Sequence, residues 1–285
     1  MITTLTIASR ESPLAMWQAD HIKKNIQALY PAIKINIEGF RTQGDILLDQ
    51  SLAKIGGKGL FIKELEQALL NNKADLAVHS MKDLPMDIPK GFKLAVITER
   101  GDARDAFVSN QYDSLEALPP GSIIGTSSLR RQSQIQAKFP ELKILPLRGN
   151  LQTRLKKLDE KNYDAIILAA AGLIRMGLKE RIKLYIDPTL SIPAVGQGAL
   201  GIEILESNTE LLNLIAPLNN DTTSRCVLAE RTVSRSLAGS CTAPLGAYAS
   251  IRKNKIYMHG FVATPDGSQI IFSETNGPSD SPEDV

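Results

Sequence analysis

The stretch LTIASRESPLAMWQADHIKKNIQALYPAIKINIEGF, residues 5–40, decides the fold class. Its first four residues are apolar enough to predict a short strand. Ser12 and Pro13 then supply an N-cap and a proline suited to the first helical position, and apolar residues recur about every 3.6 positions after them. Residues 33–40 alternate apolar and polar side chains, as a half-buried strand does. A strand–helix–strand unit of this kind favours a mainly parallel sheet covered by helices.

The same rhythm continues beyond this unit. Residues 59–70 predict an amphipathic helix, and residues 74–80 predict a buried strand. Four further strand-to-helix junctions are expected between residues 105 and 172, at DAFVSN, SIIGTSS, LKILPLRGN and YDAIILAAAG. A polar segment at 98–105 and a Pro- and Gly-containing one at 191–205 are candidate hinges, and the second leads into a strand that can return to the first lobe. We expect two hinged α/β lobes, with ligands bound at the carboxyl ends of the strands.

The pattern changes near residue 219. A long helix over 221–237 precedes three alternating strands, GAYASI, KIYMHGFVA and SQIIFSE, which predicts a small α+β domain with an antiparallel sheet and a polar tail from residue 276. The expected domains are therefore 1–98 with 199–217, then 99–198, and finally 218–285.

Composition excludes several classes of protein. The 285 residues are 43% hydrophobic and 22% charged, which is typical of a globular protein, and no run of apolar residues is long enough to span a membrane. The first residues lack the charged and apolar segments of a signal peptide, and only two cysteines are present, so we expect a reducing, cytoplasmic location. A net charge of +2 gives no global attraction to nucleic acid.

Two other classes of site find little support. The three histidines, His21, His79 and His259, are far apart and no CxxC pair occurs, so no metal site is expected. The segment GGKGLF, residues 56–61, lacks the spacing of a phosphate-binding loop. It is either a flexible loop beside a cleft or a simple surface turn.

Basic residues follow several predicted strands. Arg10 ends the first strand, TSSLRR (126–131) combines hydroxyls, a helix start and two guanidiniums, and Arg148, Arg154 and Arg175 follow later strands. Guanidiniums bind carboxylates through paired hydrogen bonds, and helix N-termini favour anions. One such arginine is most simply a solvated surface charge, but several at one edge predict a cleft that binds a polyanion.

One carboxylate falls among these cations. Lys82 and Asp83, in HSMKDLP (79–85), follow the most apolar strand of the first lobe and are expected in the same cleft. An aspartate among cations stays ionised, so Asp83 is suited to stabilising a cationic intermediate. A turn-forming role before Leu-Pro is the alternative for this residue.

The two cysteines have different surroundings. Cys226 shares a helical face with Ala229, Val233 and Leu237, which indicates a buried core thiol. Cys241 lies in RSLAGSCTAPLGAY (235–248), among small residues and without a histidine within fifteen positions. Its loop has room for a bulky attached group.

Eight segments, in order, resemble the porphobilinogen deaminase (hydroxymethylbilane synthase) family over residues 8–248: ASRESPLAMWQA, GGKGLF, AVHSMKDLP, GTSSLRRQSQ, LRGNLQTRL, ILAAAGL, VGQGALGIE and GSCTAPLGAYA. The resemblance implies lobes like those of type II periplasmic binding proteins and a monomeric transferase of haem biosynthesis. Such an enzyme joins four porphobilinogen molecules head to tail on a dipyrromethane primer, releasing ammonia and hydroxymethylbilane.

The resemblance also implies roles for individual residues. Asp83 would be the catalytic carboxylate and Cys241 would carry the dipyrromethane through a thioether. The implied cofactor-binding residues are Lys82, Ser128, Arg130, Arg131, Arg148 and Arg154, and the implied substrate-binding residues are Arg10, Ser12, Arg175 and Gln197. The sequence departs from the family in having Ser240 where a glycine is expected, and in ending at Val285, before an expected closing helix.

Three alternatives remain open on the residues alone. Two hinged lobes equally suit a solute-binding protein, against which stand the missing export signal and the contexts of Lys82, Asp83 and Cys241. A transferase with a cysteine nucleophile needs a base near Cys241, and none is apparent. Nucleic-acid binding has the least support, because no helix carries a sustained basic face.

Overall fold

The structure is a computed structural model that describes residues 2–46, 61–237 and 244–285. Its described residues form two compact units. The first contains 2–46, 61–100 and 199–225, and the second contains 101–198, 226–237 and 244–285. Strands and helices are numbered below in chain order.

The first unit is built on a five-stranded sheet with the order β2-β1-β3-β10-β4. The strands are β1 (Thr4–Arg10), β2 (Lys34–Phe40), β3 (Leu76–Ser80), β4 (Phe92–Ile97) and β10 (Leu200–Leu205). Strand β1 pairs in parallel with β2 and β3, whereas β10 runs antiparallel to both of its neighbours. Strand β10 thus departs from the parallel pattern that the sequence predicts.

Within its described residues this unit contains helices α1 (Pro13–Leu29), α2 (Gln43–Ile46), α3 (Lys63–Leu70) and α7 (Thr209–Ile215). Helix α1 begins as predicted, because the Ser12 side chain accepts a hydrogen bond from the Ala15 backbone N–H (3.4 Å). Its buried residues, Ile22 and Ile26 among them, pack with strand residues such as Ile7 in one hydrophobic cluster. Burial of this apolar face against the sheet fixes where the carboxyl ends of the strands emerge.

The second unit contains a five-stranded sheet with the order β7-β6-β8-β5-β9. The strands are β5 (Asp105–Val108), β6 (Ile123–Gly125), β7 (Lys143–Leu145), β8 (Ala165–Ala169) and β9 (Leu184–Ile186). Strands β7, β6 and β8 are parallel, and β5 is antiparallel to β8 and β9. The prediction of a helix directly after DAFVSN was wrong, because β5 is followed by turns that contain Pro119 and Pro120.

Hydrophobic clusters cover both faces of this sheet. Along β8, Ala165 and Ile167 belong to one cluster, and Ile166 and Leu168 belong to the other. This alternation explains why the strand is apolar throughout. Helices α4 (Leu129–Lys138), α5 (Leu151–Asp159) and α6 (Ala170–Arg175) follow β6, β7 and β8.

The remaining sheet is antiparallel, with the order β11-β12-β13. It consists of β11 (Leu245–Arg252), β12 (Lys255–Ala263) and β13 (Ile270–Pro278), and helix α8 (Asp221–Ser236) precedes it in the chain. Cys226 is 5% exposed and packs with Ala229, Ala249 and Met258, which confirms the prediction of a core thiol. The polar tail expected from residue 276 is a loop only after Pro278, because β13 pairs with β12 as far as that residue.

The predicted fold class is confirmed: two mixed α/β sheets accompany a small antiparallel sheet. Short 3₁₀ helices complete the elements at Met81–Asp83, Lys179–Arg181, Ala216–Leu218 and Pro282–Asp284. Within the ranges that the structure describes, no helix combines the length and apolar character needed to cross a bilayer.

Candidate active site

Arg10, the last residue of β1, is held by a carboxylate. Its Nε donates to Asp45 Oδ2 at 3.1 Å, a second bond joins the same two side chains, and its guanidinium lies 4.3 Å from the centre of the Phe61 ring. Burial opposes ionisation of Asp45, but hydrogen bonds from Arg10 and Thr42 outweigh it and lower the pKa of that carboxyl. Any anion that contacts the Arg10 guanidinium must therefore share it with Asp45.

The turn after β3 presents Lys82 and Asp83. Met81, fully buried, anchors the 3₁₀ helix to which both belong, and Ser80 Oγ before it accepts a hydrogen bond from Gln18 Nε2 (2.9 Å). Lys82 is half-buried and Asp83 is exposed. Among the residues that the structure describes, none forms a hydrogen bond or ion pair with the Asp83 carboxylate. The turn thus offers an exposed carboxylate on a well-anchored support.

Arg130 and Arg131, in the first turn of α4, are buried around Asp105. Arg130 Nη2 donates to Asp105 Oδ2 at 2.8 Å and its Nη1 to the Ile192 carbonyl at 2.6 Å. Arg131 donates from Nε and Nη2 to Asp105 Oδ1 at 3.0 and 2.8 Å, and from Nη1 to the Ile167 carbonyl at 3.0 Å. Their side chains are only 6% and 7% exposed. The sequence predicted that these guanidiniums come together, but not that one buried carboxylate joins them.

Asp105 is the anion at the centre of this cluster. Burial opposes its ionisation, but the charges of Arg130 and Arg131 and hydrogen bonds from Arg131 and Gln197 hold its pKa well below the ordinary value. Burial lowers the pKa of Arg130, and the Asp105 charge opposes that shift. The cluster is therefore two guanidiniums around one carboxylate, with a net positive charge.

Gln197 belongs to the same cluster. Its Nε2 donates to Asp105 Oδ1 at 3.0 Å and to the Ala103 carbonyl at 2.6 Å, and the side chain is buried. Ser191 Oγ donates to Asp105 Oδ2 at 2.8 Å. The next residue along the chain, Gly198, has φ +92°, and a Cβ there would lie 2.6 Å from the Gly101 carbonyl oxygen. Only glycine fits this close approach.

Ser128, Arg148 and Arg154 lie near the carboxyl ends of β6 and β7. Ser128 is the N-cap residue of α4, and its backbone N–H donates to Thr126 Oγ1 at 3.2 Å. Arg154, in the first turn of α5, donates from Nε to the Gly149 carbonyl at 2.8 Å. All three predicted residues are half-buried. Because β6 and β7 are parallel, their carboxyl ends share one edge of the second sheet.

Arg175 ends α6. Its Nη2 donates to the Gly198 carbonyl at 2.7 Å, and burial lowers the pKa of its guanidinium to about 10. A partly desolvated cation of this kind gains more from a carboxylate ligand than a solvated one does.

Sequence reasoning missed two buried carboxylates of the second unit, Asp105 and Glu230. Asp105 begins an apolar strand in GDARDAFV, and a charged residue inside such a strand is the signal that could have marked it. Glu230, on α8, accepts hydrogen bonds from the backbone N–H groups of Gly196 (2.7 Å) and Ala249 (2.8 Å). Glu230 was not predicted, because a glutamate among the many polar residues of this helix gives no sign in the sequence that it is buried.

Two predicted features lie outside the described residues: Cys241 and most of the GGKGLF segment. Within 2–46, 61–237 and 244–285 there is no group of three or more His, Cys, Asp or Glu side chains that could hold a metal ion.

Comparison with known proteins identifies the family. Residues 5–213 match the model of "Porphobilinogen deaminase, dipyromethane cofactor binding domain", and residues 224–285 match that of "Porphobilinogen deaminase, C-terminal domain". The chain belongs to the porphobilinogen deaminase family.

Relatives named porphobilinogen deaminase agree over nearly the whole chain. The protein of Methylobacillus flagellatus is 62% identical over 280 residues, covering 98% of this chain and 90% of its own length. That of Thiobacillus denitrificans is 60% identical over 282 residues, covering 99% and 92%. That of Laribacter hongkongensis is 59% identical over 276 residues, covering 97% and 90%. The family recognised from eight sequence segments is confirmed.

Solved structures of other proteins are more distant. The crystal structure of the methionine-binding protein MetQ is similar with a TM-score of 0.49 and 12% identity, covering 83% of this chain and 96% of that one.

Porphobilinogen deaminases are transferases, and this chain has the donor set that their dipyrromethane cofactor requires. A dipyrromethane made from two porphobilinogen units carries two carboxylates on each ring. The carboxyl edge of the second sheet supplies guanidiniums from several segments, with the Ser128 hydroxyl beside them. Guanidiniums and hydroxyls are the donors that bind carboxylates, so the residues present fit the cofactor.

Proposed function

We propose that this chain carries out the reaction of its family with Asp83 as the catalytic carboxylate and Cys241 as the attachment point of the dipyrromethane. In that reaction four porphobilinogen molecules are condensed head to tail and one ammonia is released for each. One water molecule supplies the terminal hydroxyl group when the product, hydroxymethylbilane, is released. When bound, the dipyrromethane supplies the pyrrole carbon to which the first substrate ring is joined.

The observation that carries the catalytic assignment is the state of the Asp83 carboxylate. Asp45, in the same unit, is engaged by Arg10 and Thr42, whereas Asp83 is exposed and, among the described residues, has no hydrogen-bond or ion-pair partner. A carboxylate that is not already neutralised by a cation can respond fully to a positive charge that develops beside it.

Such a charge develops when the substrate loses ammonia. The C–N bond of the protonated aminomethyl group breaks, the electron pair of that bond leaves with ammonia, and the remaining methylene carries a positive charge shared with the pyrrole nitrogen. Asp83 gains interaction as this cation forms and therefore lowers the barrier, whereas a lysine or an arginine would raise it.

The basic residues are proposed to bind carboxylates. Each pyrrole ring carries an acetate and a propionate, and paired N–H donors hold such groups in a defined orientation. We assign the cofactor carboxylates to Lys82, Ser128, Arg130, Arg131, Arg148 and Arg154. We assign the carboxylates of incoming and growing rings to Arg10, Ser12, Arg175 and Gln197.

We also propose that the protein works as a cytoplasmic monomer on a small-molecule substrate, without nucleic acid. The low net charge of +2 and the use of only two cysteines support this proposal. Light scattering of the purified chain at several concentrations checks the monomer, and a dimer mass would contradict it.

The catalytic assignment is tested by ammonia release in a single turnover with primer-loaded protein. Asp83→Asn retains the size of the side chain but removes its charge, so it should load primer and bind substrate, yet release ammonia at least about 100-fold more slowly. Asp83→Glu should recover part of the rate. Asp87→Asn, an exposed aspartate in the same segment, is the matched control. Near-normal release from Asp83→Asn would assign catalysis to another residue.

A further inference from the structure

Asp105 is a buried carboxylate that the reaction itself does not use. It is fully buried, and its two oxygens accept hydrogen bonds from side chains of four residues in three parts of the second unit. These residues are Arg130 and Arg131 of α4, Ser191, and Gln197. The six hydrogen bonds are between 2.8 and 3.1 Å long.

We propose that Asp105 is a positioning residue for cofactor binding, holding the guanidiniums of Arg130 and Arg131 so that their remaining N–H donors meet carboxylates of the dipyrromethane. This inference rests on the proposed assignment of the cofactor carboxylates to these two arginines.

The hydrogen bonds leave donors available for that purpose. A guanidinium has five N–H donors. Arg131 uses three of them: Nε and Nη2 donate to Asp105, and Nη1 donates to the Ile167 carbonyl. Arg130 uses Nη1 and Nη2 in the same way, and its Nε donates to no other residue that the structure describes. Each planar group is thus fixed by some of its donors while others remain.

Electrostatics gives the carboxylate a second effect. Two guanidiniums that share a buried site repel each other, and the Asp105 charge between them removes most of that repulsion. Because there are two cations and one anion, the cluster keeps a net positive charge and still attracts a ligand carboxylate. Without Asp105 the arginines would separate or draw in water, and the orientation of their free donors would be lost.

Stability alone does not account for this arrangement. Buried ion pairs are often replaceable by apolar side chains with no loss of stability. A fully buried carboxylate that collects donors from α4, Ser191 and Gln197 is better explained by the need to fix charged groups in a ligand-binding orientation.

The test compares Asp105→Asn with Arg131→Leu and Asp164→Asn. Asp164 is a matched control, since it is an aspartate in the same unit that accepts a hydrogen bond from the Ile123 backbone N–H (2.7 Å) and contacts neither arginine. Each full-length chain is prepared without primer and incubated with porphobilinogen, and the fraction that carries the dipyrromethane is followed by intact mass. Tm is measured in parallel, so that loading is compared only between folded proteins.

We expect Asp105→Asn to load at least about tenfold more slowly than the parent chain, which is the scale of one lost charge-assisted hydrogen bond. Asp105→Glu should recover part of that rate and Asp164→Asn should load normally. If Asp105→Asn loads normally and Arg131→Leu loads slowly, the proposed role of Asp105 is wrong and the assignment of the cofactor to the arginines stands. Normal loading by Arg131→Leu would overturn the assignment of the cofactor to the arginine pair.

A second variant covers the case in which Asp105→Asn does not fold. The double variant Asp105→Asn, Arg130→Gln removes one anion and one cation, so the buried charge is unchanged while Arg131 loses its carboxylate. It should load primer more slowly than Arg130→Gln alone. Equal rates for these two variants would overturn the proposal.

Discussion

Arg131 and Arg175 have different surroundings, and we predict different tasks for them. Arg131 is fixed by Asp105 through two donors, whereas Arg175 contacts the Gly198 carbonyl and its pKa falls to about 10 on burial. We predict that Arg131→Leu is isolated largely without primer, whereas Arg175→Leu carries primer but stalls during elongation. Each loss should be roughly ten- to a hundredfold. Intact mass after incubation with porphobilinogen distinguishes the two, and equal loading with normal turnover in both would contradict the division of roles.

The same residues should differ in their effect on stability. Removing Arg131 deletes its hydrogen bonds to Asp105 and to the Ile167 carbonyl, and a hydrogen bond to a charged group typically contributes about 1.5–3 kcal/mol. Removing Arg175 deletes a cation whose burial is itself unfavourable, so the loss of its hydrogen bond to the Gly198 carbonyl is partly offset. Arg131→Leu should therefore lower Tm more than Arg175→Leu. The opposite order in thermal denaturation would show that the Asp105 cluster is not an important support of this unit.

Single residues also show which features can be predicted from the sequence and which cannot. The Ser12 cap and the buried thiol of Cys226 follow from local pattern alone, and both are found. The burial of Arg130 does not, because its partners Asp105 and Ile192 are 25 and 62 positions away. A pattern of neighbours identifies an arginine at a helix start, but only the folded chain shows which carboxylate it faces.

At the scale of elements, helix α3 carries Glu66, whose pKa is affected by two buried ionisable side chains, His79 on β3 and Glu203 on β10. His79 Nε2 lies 2.8 Å from Glu203 Oε2, and both side chains are buried. Burial first, and then the Glu203 charge, raise the pKa of Glu66 on α3, and His79 and Lys63 oppose that shift. A raised folded pKa means that ionised Glu66 weakens the folded state.

This arrangement predicts a pH dependence. The contribution of Glu66 to stability is fully present below its unfolded pKa and is lost as pH rises through the raised folded value. Glu66→Gln, which resembles the protonated acid, should thus match the parent near pH ~4 and gain in Tm relative to it towards pH ~8. Glu38→Gln, at an exposed position of β2, is the control and should show no such trend. A constant Tm difference for Glu66→Gln would contradict the prediction.

The elements themselves were largely predictable, but strand direction was not. Apolar periodicity located β1, α1 and β2, since a helix and a half-buried strand repeat at different intervals. Periodicity carries no information on direction, so the antiparallel strands β5 and β10 were not anticipated. Each occupies the fourth position in the order of its sheet, which shows that the two sheets share one arrangement.

At the scale of the whole molecule, the nearly balanced charge has a structural explanation. The chain has 33 basic and 31 acidic residues, and several candidate ligand-binding arginines are matched by carboxylates within their own unit. Arg10 pairs with Asp45, and Arg130 and Arg131 share Asp105. The proposed binding of polyanions would thus depend on local groups of oriented donors and not on a global positive field.

The central claim is that this chain builds its product on a primer bound covalently to Cys241. The most direct test is the intact mass of the purified protein, followed by mass analysis of its peptides, for the parent chain, Cys241→Ser and Cys226→Ser. The account predicts a dipyrromethane adduct on the peptide that contains Cys241. It also predicts the adduct in Cys226→Ser, whose altered residue is a buried core thiol, and a folded but inactive Cys241→Ser without it. An adduct that persists in Cys241→Ser, or a parent chain of unmodified mass that nevertheless makes hydroxymethylbilane, would contradict the account.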